Sequence, residues 1–83
     1  MNAANAEIRA TDAAEAVKLC AALLPAEREV LVLTSNGYTA NQVAELIQKN
    51  HKTVVWRLSA VRVKLGVETT IEAAVIACKA GLV

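Results

Sequence analysis

The stretch GYTANQVAELIQKNHKTVVWRLSAVRVKLGV, Gly37 to Val67, decides the fold. It reads as two helices joined by a tight polar turn. In the first, Val43, Ala44 and Ile47 fall at the i, i+1 and i+4 spacing of one helical face, and Gln42 and Glu45 point away from it. The second helix starts at Asn50, whose side-chain oxygen can accept bonds from the unpaired amides of the first turn. Within it Val54, Leu58, Val61 and Leu65 repeat as one buried stripe. Gly66 is the stop, because a residue without Cβ enters the left-handed conformation at little cost. A short helix, a polar turn and a longer basic helix are the minimal description of a helix-turn-helix.

Charge sharpens that picture. The chain of 83 residues has a net charge of only +1, but residues 1–48 carry three basic and six acidic side chains, net −3. Residues 49–64 carry five basic side chains (Lys49, Lys52, Arg57, Arg62, Lys64) and no acidic one, net +5, and residues 65–83 return to −1. Positive charge gathered on one helix is the electrostatic footprint expected for phosphate, whereas a merely solvated face more often mixes both signs. A composition with 55% apolar and 2% aromatic residues favours closely packed helices over a sandwich of strands. The length allows one small domain.

Working outward, Asp12 and Glu15 mark a helix start, and Val17, Cys20, Ala21 and Leu24 form one face of a leading helix over about residues 12–24. Two roles are open to it: packing on the rest of the domain, or acting as a docking or dimerising arm. Residues 1–10 are small, polar and weakly patterned, which predicts a frayed end. Pro25 opens a second helix to about Ser35 that buries Val30 and Leu31, with Glu27 and Glu29 near its positive end. The last helix begins at the Thr69-x-x-Glu72 capping box and runs to about Ala80. Ile71, Ala74, Val75 and Cys78 mark one of its faces, while Ala73, Ile76, Ala77 and Ala80 cover most of the rest. A helix apolar all round is buried or paired, so homodimerisation through Ala73, Ile76, Ala77 and Ala80 is expected, with Ile76 at the centre.

These residues also carry a resemblance. GYTANQVAELI…KTV…L..V..KLGV resembles the LuxR/GerE-type helix-turn-helix of bacterial transcription regulators, and LLPAEREVLVL and IEAAVIACKAGLV are similar to the flanking helices of that family. The likeness covers about residues 23–83, which leaves residues 1–22 as an N-terminal extension with the leading helix. It implies an all-α, four-helix domain whose third helix enters the DNA major groove and whose fourth pairs two domains. Similar proteins usually carry Thr where this chain has Leu24, and losing that capping hydroxyl costs up to about 1 kcal/mol.

On a wheel centred on the Val54 stripe, the outward face carries Val55, Trp56, Ser59, Ala60 and Val63, with Arg57 and Lys64 on one flank and Arg62 on the other. The resemblance gives Val55, Trp56 and Ser59 the base edges, and Thr53 and Arg57 the backbone. Here the chain departs from the family, with Val55 where a basic residue is usual and Trp56 unusually large for its place. Val55 and Trp56 suit thymine methyls, Ser59 a base, and His51, Lys52, Thr53, Arg57 and the flanking Arg62 suit the DNA around them. The same apolar surface also suits a protein partner, since tryptophan is a frequent hot-spot anchor, and packing of Trp56 back across its own domain is a third option.

The expected function is a small sequence-specific DNA-binding regulator of transcription. The other reading is a helix-turn-helix that antagonises or heterodimerises with a full-length regulator. Partners expected are double-stranded DNA and a second copy of the chain, with another transcription regulator or RNA polymerase as a further candidate. No cofactor is called for, and the roughly twenty residues before the motif are too few for a sensor domain. Cys20 and Cys78 stand far apart beside a single His, which gives metal ligation almost no support and suits buried, reduced thiols in the cytoplasm. No Gly-rich phosphate loop, nucleophile–base pair or carboxylate pair points to an enzyme, and no apolar run is long enough to span a membrane.

Overall fold

The structure, a computed structural model, describes residues 12–83, and among them there are helices and no strands. The frayed end expected for residues 1–10 lies outside the described residues. The helices are α1 (Ala13–Ala21), α2 (Pro25–Ser35), α3 (Ala40–Ile47), α4 (His51–Leu65) and α5 (Thr70–Lys79). Their ends follow local chemistry. Asp12 Oδ1 accepts from the Glu15 amide at 2.8 Å, Asn50 Oδ1 from the Thr53 amide at 2.8 Å, and Thr69 Oγ1 from the Glu72 amide at 3.1 Å. Thr39 and Gln42 form a further reciprocal box that opens α3, at 2.8 and 3.2 Å. Gly66 closes α4 with φ of 71°, as its position after the apolar stripe predicts.

Two apolar clusters fill the interior. One joins Ala16, Cys20 and Leu23 to Leu31 of α2, Val61 and Leu65 of α4, and Ala73, Ile76 and Ala77 of α5. The other joins Val30 of α2, Val43 and Ala44 of α3, and Val54 and Leu58 of α4. Thus α2 and α4 run through both clusters, and the expected stripe of α4 is buried along its whole length. That leaves the opposite side of α4 facing outward.

Two helices are turned relative to expectation. In α1 the buried residues are Ala16 and Cys20, continued by Leu23, while Val17, Ala21 and Leu24 lie exposed. The helix ends at Ala21 rather than continuing to Leu24, which instead caps α2 without offering a side-chain acceptor. Size offers a physical reason: Ala16 shares its cluster with Ala73 and Ala77 of α5, and small side chains at such a junction let helices approach more closely than Val17 would.

In α5 the rotation corrects the expected dimer surface. Ala73, Ile76 and Ala77 are buried in their own chain, with Ile76 only 1% exposed, and Ala80 packs on the same cluster. The surface expected to meet a second copy is thus occupied, in part, by α1 of the same molecule. The outward face is the other one marked in the sequence, with Ile71 at 79% exposure and Val75 and Cys78 also exposed, so Cys78 is not the buried thiol expected. Of the two roles open to the leading helix, the structure has the packing one.

Candidate nucleic-acid interface

The outward face of α4 is built by the turn that precedes it. The chain leaves α3 through Gln48, a non-glycine residue held at φ 57°, and passes Lys49 to reach the Asn50 cap. The left-handed residue reverses the chain, and the Asn50 cap ties up the first turn of α4. Asn50 Oδ1 also accepts from the Thr53 hydroxyl at 3.0 Å, so Thr53 is half-buried and held to the cap.

Beyond that turn, the residues expected to face DNA stand together. Trp56 is 62% exposed, Val55 42% and Val63 78%, with Ser59 exposed between them. Trp56 therefore does not fold back across its domain. Lys52 sits one turn before it, with Nζ 5.0 Å from the centroid of the indole ring. A cation over the ring face is held by the ring quadrupole, which steadies both side chains without a hydrogen bond.

The flanking cations are not equivalent. Lys64 donates to Glu27 Oε1 of α2 at 2.7 Å, and the same oxygen accepts from the Leu24 amide at 2.8 Å. Hydrogen bonding from Lys64, and then from that amide, holds the Glu27 carboxyl below the ordinary carboxylate range. Arg62 Nη1 donates to Thr70 Oγ1 at the start of α5, at 3.3 Å. Arg57 is half-buried, whereas His51, Lys49 and Lys52 are exposed. The positive charge not tied to another helix thus gathers at the start of α4, at Lys49, Lys52 and Arg57, beside Trp56.

Sequence reading missed three of these ties. The Thr39–Gln42 box was legible from its spacing, but Glu27–Lys64 and Arg62–Thr70 join residues on different helices and leave no local signal. It placed Glu27 correctly near the start of α2 for the helix dipole alone.

Elsewhere the surface offers little chemistry. A shallow hollow of about 200 Å³ lies between α1, α2 and the C-terminal segment, lined by Val17, Cys20, Ala21, Arg28, Ala80 and Leu82. Burial pushes the Cys20 thiol upward, against a smaller opposing pull from Arg28, which makes it a poor nucleophile. Among the described residues no cluster of His, Cys, Asp or Glu could hold a metal ion, and no helix is long and apolar enough to cross a membrane. Comparison with family models, with curated proteins and with solved structures found no match.

Proposed function

We propose that the chain is a small DNA-binding regulator of transcription that acts in the cytoplasm, with residues 23–83 forming a LuxR/GerE-type helix-turn-helix domain. In this reading α4 enters the major groove, Val55, Trp56 and Ser59 meet base edges, and Lys52, Thr53 and Arg57 hold the phosphates on either side. Arg62 assists from the flank through the guanidinium nitrogens not engaged by Thr70. What supports the reading most is the outward side of α4, uncovered by any described element and bordered by Lys49, Lys52 and Arg57. It needs no dimer through α5.

A salt-titrated binding assay on duplex DNA tests it. The affinity of the unmodified chain should fall linearly on logarithmic axes as salt rises, since phosphate contacts release counterions. Replacing Arg57 with Ala should weaken binding to every sequence alike and flatten the slope by about one unit. Weak binding that responds to neither salt nor Arg57 would sink the proposal.

A second reading draws on one observation, the open Val55–Trp56–Val63 surface, which also fits a protein partner such as a full-length regulator. Under it, Trp56→Ala abolishes binding to that partner, and no duplex binds with measurable salt dependence.

A further inference from the structure

We infer that the outward ridge of α4 recognises a methyl group in the major groove, the C5 methyl of thymine or of 5-methylcytosine, with Trp56 as the principal contact and Val55 as the second. The inference rests on the DNA reading above and specifies what that surface selects. It follows from what the ridge lacks. The strongest major-groove specificity through hydrogen bonds comes from bidentate side chains, Arg or Lys on guanine and Asn or Gln on adenine, whereas a single Ser hydroxyl discriminates bases weakly. None stands at the centre of this surface, where Val55, Trp56, Ser59, Ala60 and Val63 supply only an indole N–H and one hydroxyl.

The nearby cations are committed or off-centre. Lys64 is paired with Glu27, Arg62 is tied to Thr70 through one nitrogen, and Lys52 lies over the indole ring. Arg57 is half-buried on the flank. The groove presents an apolar side chain with one distinctive feature, the pyrimidine C5 methyl, and thymine and 5-methylcytosine place it at the same position on the ring. Val55 and Trp56 occupy the N-terminal half of α4, the part of a recognition helix that reaches base edges. Lys52 then has a double role: its ammonium steadies the ring that makes the contact and brings positive charge to the adjacent backbone.

The test uses the whole chain and duplexes selected from a random-sequence pool. Within the selected site, thymine is replaced by deoxyuridine one position at a time, which removes only the methyl. At least one replacement should weaken binding about fourfold, the value of one buried methyl group. A cytosine placed at that position should regain about fourfold on 5-methylation. Trp56→Ala, an exposed substitution whose helicity can be checked by circular dichroism, should lose most of the difference between the thymine and deoxyuridine duplexes, leaving only what Val55 contributes. Replacing guanines by 7-deazaguanine, which removes N7, one of the two acceptors of a bidentate Arg, should have little effect. Salt-dependent binding that ignores deoxyuridine everywhere, or that collapses with 7-deazaguanine, overturns the methyl contact and leaves the DNA reading intact. Absence of salt-dependent binding to any duplex overturns both.

Discussion

Glu27 has two donors on one oxygen, and they serve different ends of the molecule. The Leu24 amide belongs to the start of α2, where the side chain at the cap offers no acceptor, and Lys64 belongs to the last turn of α4. The carboxylate thus supplies the reciprocal half of a capping box whose other half Leu24 leaves empty, while pinning the two helices that run through both clusters. Glu27→Gln should destabilise the fold by about 1–2 kcal/mol near neutral pH, less than a fully buried pair would give because Lys64 is partly exposed. Because the folded-state pKa is lowered, this stabilisation is present above the unfolded carboxylate value of about 4.3 and disappears as pH falls through the lower folded value. Urea denaturation of both chains from neutral to acid pH should show the curves converging below about pH 4. A gap that persists in acid would refute this role for the ionised group. Trp56 belongs to the same scale but to the opposite surface. Trp56→Ala should cost about 1–3 kcal/mol on the preferred duplex and little on random DNA or in thermal stability, since most of its ring is exposed.

At the scale of elements, the helices of the central stretch were legible because each carries an apolar stripe at helical spacing that the structure turns inward, although the outward side of α4 is apolar too, at Val55, Trp56 and Val63. Val54, Leu58, Val61 and Leu65 admit a single phase, and all four are buried. Asn50 and Gly66 then bracket α4 as their chemistry requires, one by accepting from Thr53 and the other by its left-handed backbone. The phases of α1 and α5 were not legible. Both helices are apolar on more than one side, so periodicity offered two stripes in each, and the choice between them depended on tertiary neighbours that sequence order does not reveal. The faces turned inward are those with small side chains, Ala16 in α1 and Ala73 and Ala77 in α5, which share one cluster. The candidate interface was legible as a set of exposed residues, because exposure on α4 follows from the stripe, but the ties of Lys64 and Arg62 to other helices were not. At this scale Asn50→Ala should cost about 1 kcal/mol by freeing the Thr53 amide and hydroxyl. Chemical denaturation measures it, and a loss near zero would show that water replaces the cap without penalty.

For the whole molecule, the decisive feature is that α5 turns Ala73, Ile76 and Ala77 inward. Ile76→Glu should therefore act as a core lesion, leaving an unpaired charge among apolar neighbours and costing more than about 3 kcal/mol. Circular dichroism and thermal melting should show loss of the folded state. A well-folded variant with an unchanged melting temperature would contradict the packing described for α5.

The short connection between α1 and α2 has a consequence of its own. Residues 22–24 tether α1 beside the surface that it covers, so that surface meets its own helix at an effective concentration in the millimolar range. A second molecule at micromolar concentration is outcompeted by roughly a thousandfold before any difference in contact quality is counted. Evolution of pairing through this side of α5 would thus require the tethered helix to weaken first. In its present form the chain carries an intramolecular competitor for its own association.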